Sequence, residues 1–108
     1  MPRRKRTFIF TRYPPVCHLQ VARSGKLKNG AVRLYYALLA VAYQERFLER
    51  AIKSALKDGF AGLSERTAVE SYNALLSFGY VRERKGREFV EVELVPEGRG
   101  YRDDREKI

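Results

Sequence analysis

The chain has no tryptophan, one cysteine (Cys17), one histidine (His18) and only four prolines in 108 residues. A single cysteine excludes an internal disulfide framework and suits a reducing compartment, so the expected location is the cytoplasm. No apolar run approaches the roughly 20 residues that a bilayer demands, and no charged-then-apolar secretory pattern opens the chain, so no membrane partner is expected. Cys17 and His18 stand beside each other without a further cysteine or histidine, which leaves no metal-ligand spacing. The lone histidine has no plausible catalytic triad, and no glycine-rich phosphate loop follows a strand. These absences point away from an enzyme and away from any cofactor. Asparagine and glutamine are scarce as well (Asn29, Asn73, Gln20 and Gln44), whereas Arg, Glu and Tyr are plentiful. That balance is met in proteins from hot environments.

Acid is missing from one region altogether. Residues 1–29 carry Arg3, Arg4, Lys5, Arg6, Arg12, Arg23, Lys26 and Lys28 and not one Asp or Glu. The rest of the chain holds fourteen bases against thirteen acids, so most of the net charge of +9 resides in the first quarter. A nearly neutral domain with a basic amino-terminal segment fits a polyanionic partner, because neutralising phosphates releases condensed counterions. The expected division is a basic arm at 1–6, one domain at 7–98 and a polar tail at 99–108.

Along the domain, "TFIFTRYPP" and "VCHLQVA" are rich in aromatic and β-branched residues. Cys17, Leu19 and Val21 alternate with polar or small neighbours, which predicts strand-like structure, with Pro14-Pro15 as the separator. "SGKLKNG" reads as a loop. Asn29 is then an expected N-cap for "GAVRLYYALLAVAYQERF", whose Ala31, Leu34, Tyr35, Leu38, Val41 and Ala42 recur at helical spacing. Tyr36, Leu39, Ala40 and Tyr43 make its other side apolar too. A small core hardly surrounds a helix, so this pattern predicts a homodimer through the helix at 30–47. "FLERAIKSALKDG" predicts a second helix with Leu48, Ile52, Ala55 and Leu56 on one stripe and a Glu49–Lys53 pair at i,i+4. A third, "SERTAVESYNALLSFG", opens on Ser64 and stops at Gly79.

The carboxy-terminal part predicts a β-hairpin, "YVRER" and "REFVEVELV". A two-residue turn at Lys85-Gly86 sets Val81 opposite Val90 and gathers Arg82, Arg84 and Arg87 on the outer face. Arg84 and Arg87 then lie opposite each other, a like-charge pair that a bound polyanion would relieve.

Ser64, Thr67, Leu75, Gly79, Tyr80 and Val81 occur at the spacing found in many winged-helix regulators, and a basic hairpin follows the third helix at once. Residues 31–98 therefore resemble the winged helix-turn-helix superfamily, of the small regulator type met in archaea and their viruses. The resemblance implies an α+β winged helix, three helices plus a carboxy-terminal hairpin wing, here with a basic arm and a short β-like segment before it. It also implies sequence-specific binding of double-stranded DNA by a transcriptional regulator, with the third helix entering the major groove.

On that helix Ala68, Tyr72, Leu75 and Gly79 are expected to face inward. Arg66, Val69, Glu70 and Asn73 remain outside as candidates for base edges, and Ser64 and Thr67 for phosphate. Arg3, Arg4, Lys5 and Arg6 of the arm, with Arg82, Arg84, Lys85 and Arg87 of the wing, complete the expected DNA-binding set. Glu65 and Glu70 depart from the basic or small polar residues usual there. Glu65 suits the positive end of the helix dipole, and Glu70 either orients an arginine or accepts from cytosine. Other functions compatible with the same residues are replication or plasmid maintenance, protein–protein assembly through the two glutamates, and RNA binding by the arm.

Overall fold

The computed structural model describes residues 6–98; Arg3, Arg4 and Lys5 of the expected arm, and the expected tail at 99–108, lie outside the described residues. The described chain is α+β, with four α-helices and one four-stranded mixed sheet. Strand β1 (Arg6–Phe10) alternates Thr7 and Ile9, both buried, with Arg6, Phe8 and Phe10 on the opposite face. It occupies an inner position of the sheet order β2-β1-β4-β3, antiparallel to β2 (Phe47–Leu48) and parallel to β4 (Phe89–Leu94). Strand β3 (Val81–Lys85) closes the other edge, antiparallel to β4. Arg6 thus belongs to a strand and not to the arm, because the residues after it send every second side chain into the core.

Helix α2 (Asn29–Tyr43) buries Ala31, Leu34, Tyr35, Leu38 and Ala42 against Ile9, Val90, Val92 and Leu94 of the sheet and Ala68, Tyr72 and Leu75 of helix α4 (Glu65–Ser77). Its amino-terminal end comes close to α4: a Cβ on Gly30 would stand 3.0 Å from the Ser71 Oγ and 3.2 Å from the Thr67 Cγ2. Glycine at position 30 therefore permits the approach. The N-cap position is Lys28, without a side-chain cap, so Asn29 is the first helical residue and not the cap expected of it.

"VCHLQVA" is helical, not strand-like: a 3₁₀ turn at Pro15–His18 runs into helix α1 (Leu19–Arg23). Pro15 stands at the start of that turn, where its fixed φ and missing N–H are tolerated. Proline thus starts a helix here instead of separating two strands. The residues that turn inward are His18 and Val21, three apart, while Leu19 is 51% exposed.

This segment lies over the second side of α2. The Tyr36 hydroxyl donates to the His18 carbonyl, and the Tyr43 hydroxyl donates to the Tyr13 carbonyl at 3.0 Å. The aromatic surplus that suggests a dimer through α2 is thus largely used within the chain; beyond Asn29 at its start, the helix leaves Arg33, Ala40 and Tyr43 exposed.

His18 is fully buried, with Nδ1 2.6 Å from the Tyr35 hydroxyl and Nε2 3.2 Å from the Thr11 Oγ1. The Thr11 hydroxyl donates to the Leu94 carbonyl at 3.0 Å, so it accepts from an Nε2–H and leaves Nδ1 to accept from Tyr35. Burial lowers the imidazole pKa, opposed in part by a hydrogen bond to the Tyr13 backbone. The unfolded imidazole takes up its proton near 6.5 and the folded one only at lower pH, so acid favours unfolding across that interval. The urea midpoint is expected to fall as pH drops from 8 to 5.5, and His18→Gln is expected to flatten that limb.

Two further expectations are corrected. Phe47 and Leu48 form a strand against Phe8 and Thr7, and helix α3 begins only at Ile52 (Ile52–Lys57). Glu49 therefore lies outside the helix and pairs with Arg6 at 2.9 Å instead of Lys53. Leu48 still packs on the core, from a strand.

The hairpin register also differs: Val81 faces Leu94, Arg82 faces Glu93, Arg84 faces Glu91 and Lys85 faces Val90. The turn lies beyond Lys85, with the Gly86 N–H donating to the Phe89 carbonyl at 2.9 Å. Relative to the expected register the shift is even, so every apolar residue keeps its face and alternation alone does not discriminate. Cross-strand charge does. The observed pairing sets each outer-face arginine of β3 opposite a glutamate and removes the Arg84–Arg87 juxtaposition.

Candidate nucleic-acid interface

Helix α4 is built by local signals. The Ser64 Oγ accepts from the Thr67 N–H at 3.3 Å and stands 3.1 Å from the Thr67 Oγ1. This is a side-chain N-cap. At the other end Gly79 has φ +81°, with its N–H on the Leu76 carbonyl and the Tyr80 N–H on the Leu75 carbonyl. The paired bonds across a left-handed glycine are a Schellman stop. Ala68, Tyr72 and Leu75 are buried, as expected, and Ser71 joins them.

Glu65, Arg66, Thr67, Val69, Glu70 and Asn73 are left exposed, along with Ser64 at the cap. Thr67 lies beside Gly30, at the margin of that face and not at its centre. The Arg66 Nε lies 3.3 Å from a Glu70 carboxylate oxygen at i,i+4. Both side chains are more than half exposed, so the pair contributes little to stability; what it does is aim the guanidinium along the helix. Glu65 sits in the first turn, where the helix dipole favours an acid.

The hairpin is tied to this helix by a contact that sequence reasoning misses. The Tyr72 hydroxyl donates to the Glu83 carboxylate, and burial first, then that hydrogen bond, raises the phenol pKa far above its usual value. The phenol therefore stays protonated and the link persists. Periodicity places Tyr72 in the core and assigns Glu83 no role. The available signal is a tyrosine on an inward helix face, eleven residues from an acid on the inward face of a strand.

Because side chains alternate along β3, the expected wing cations divide. Lys85 lies on the same face as Glu83, towards α4, while Arg82 and Arg84 lie on the opposite face with Glu91 and Glu93. Arg87 is exposed at the hairpin tip. Arg6 is brought to that tip: it stands beside Phe89 in the parallel register, and its N–H donates to the Glu88 carbonyl at 3.4 Å. In sequence the basic run Arg3-Arg4-Lys5 immediately precedes Arg6, the strand residue that meets the hairpin at Glu88 and Phe89.

No family model, curated protein or solved structure matches this chain. Among the described residues no group of three or more His, Cys, Asp or Glu could hold a metal ion, and no helix is long and apolar enough to cross a membrane. What the arrangement offers is a helix with a mixed polar face, a hairpin anchored to it, and exposed Lys85 and Arg87 at the hairpin end.

Proposed function

We propose that the protein binds double-stranded DNA as a winged-helix transcriptional regulator, with α4 in the major groove and the hairpin tip and basic arm on the flanking phosphates. The observation that carries this reading is the bond from the Arg6 N–H, the residue that follows the basic run in sequence, to the Glu88 carbonyl at the end of a hairpin that Tyr72 and Glu83 tie to α4. Two basic segments far apart in sequence thereby grip one stretch of backbone, and phosphate contact of this kind positions a helix whose side chains then meet base edges.

The element order supports the same reading. From α2 the chain runs helix, short strand, helix, helix, hairpin, the winged-helix order. Strand β1 is an addition that sits between β2 and β4. Arg66 is the base- or phosphate-contacting residue, Glu70 its orienting partner, Asn73 and Val69 the neighbours along the groove. With Glu70 engaged by Arg66, its carboxylate is directed to its own arginine instead of to phosphate.

Duplex binding measured across salt and across a randomised sequence pool tests this. Wild-type protein is expected to bind with a steep negative salt slope. Arg66→Ala is expected to cost about 1–3 kcal/mol at preferred sites and to relax the preference. Glu70→Ala is expected to alter the preferred bases while leaving the salt slope negative. Absence of duplex binding at low salt overturns the reading.

A further inference from the structure

The face of the sheet turned away from the helices carries Arg6, Phe8 and Phe10 from β1, Phe47 from β2, Phe89, Glu91 and Glu93 from β4, and Arg82 and Arg84 from β3. The four phenylalanines are half-buried and stand outside the core cluster; they pack on one another. Phe8 and Phe10 are stacked with centroids 5.2 Å apart and planes 18° apart, and Phe47 lies 5.0 Å from Phe8. The Arg6 guanidinium sits 4.2 Å above the Phe47 ring, and that of Arg12 is 6.0 Å from the Phe10 ring.

We infer that this face is a second nucleic-acid surface, one that takes single-stranded nucleic acid by stacking bases on the phenylalanine cluster. The function proposed for α4 does not use it. Every base has a π-face and stacks on aromatic rings irrespective of sequence, whereas in a duplex those faces are already occupied by neighbouring bases. The surrounding charge fits phosphate. Arg6, Arg12, Arg82 and Arg84 outnumber by one the acids Glu91 and Glu93 on the face and Glu49 at its margin.

Two of the acids are held by the protein's own arginines. Glu49 at the margin pairs with Arg6 at 2.9 Å, Glu93 lies 3.5 Å from Arg12, and Glu91 faces Arg84. Arg3, Arg4 and Lys5 precede this face directly in sequence. A second copy of the chain would bring the same positive excess against itself, on a protein of net charge +9. Single-stranded nucleic acid meets both the rings and the charge.

The test uses the full chain, a fluorescein-labelled oligothymidylate and a labelled duplex of equal length. Anisotropy is expected to report binding of the single strand, and excess unlabelled duplex is expected to displace it incompletely. Since the chain lacks tryptophan, Phe10→Trp supplies one emitter on the face, and base stacking is expected to quench it saturably. Phe8→Leu is expected to weaken single-strand binding about tenfold, Phe8→Tyr to preserve it, and Arg66→Ala to leave it unchanged while impairing duplex binding. Urea midpoints of the Leu and Tyr variants separate weakened stacking from impaired folding.

Failure of the single strand to bind, or its release by Arg66→Ala, overturns the inference without touching the duplex reading. In the Phe10→Trp protein, emission that shifts to the blue with protein concentration alone, with a dimer in sedimentation, assigns the face to a second copy and equally overturns it.

Discussion

A chain lacking residues 1–5 is expected to bind duplex DNA with a distinctly shallower dependence on salt. Each phosphate that the protein no longer neutralises makes the log–log slope less negative by about 0.9, so removing Arg3, Arg4 and Lys5 changes it by up to roughly 2.7. The cut falls before Arg6 because that residue belongs to β1 and pairs with Glu49 and Phe47; removing it would disturb the sheet as well as the charge. Lys85→Ala with Arg87→Ala is expected to act in the same direction. Combining the tip variants with the truncation is expected to give less than the sum, because Arg6 meets the hairpin at Glu88 and Phe89 and both sets then touch the same phosphates. A salt titration of duplex affinity for the four proteins measures this. Strict additivity would mean that arm and tip grip separate stretches of backbone.

Ile9→Ala is expected to destabilise the protein by about 2–5 kcal/mol, read as a lower urea midpoint with an unchanged slope. Ile9 is fully buried in an inner strand, between the helices and the partners that β1 holds on each side. Strands β2 and β4 are joined in the sheet through β1, with which each of them pairs. A cavity at Ile9 therefore lies in the strand that links the short strand β2 to the hairpin. Phe78→Ala makes the control, since that side chain is 47% exposed and its removal is expected to change stability by less than about 0.5 kcal/mol.

Helix α4 was legible almost residue by residue. Ser64, Gly79 and the inward set Ala68, Tyr72 and Leu75 act through hydrogen bonds and packing periodicity within a few residues of themselves. The hairpin was legible as a hairpin but not in register, because a slip by an even number of residues leaves Val81, Val90, Val92 and Leu94 on the same face. The outer pairs Arg82–Glu93 and Arg84–Glu91 were the discriminating signal. Of the candidate site, the exposed face of α4 stood where the periodicity put it, with Thr67 moved to its margin by the approach of Gly30. The hairpin cations did not stay together: strand alternation sends Lys85 to one face and Arg82 and Arg84 to the other.

By itself, then, the sequence determined the basic amino terminus, the bounds of α4 and the existence of a carboxy-terminal β-hairpin. Each depends on composition or on interactions between near neighbours in the chain. Tertiary structure decided the rest. The same apolar alternation that read as a strand at Cys17–Val21 became a helix, because Pro15 starts a turn there and Tyr36 holds the His18 carbonyl. "TFIF" became an inner strand because β2 and β4 each offered it a ladder, and "FL" at 47–48 left a helical pattern to pair with it. Partners in a sheet lie far apart in sequence, and a short apolar run has no local hydrogen bonds that commit it in advance. That Arg6, the hairpin end and the open phenylalanine face come together follows from that pairing alone.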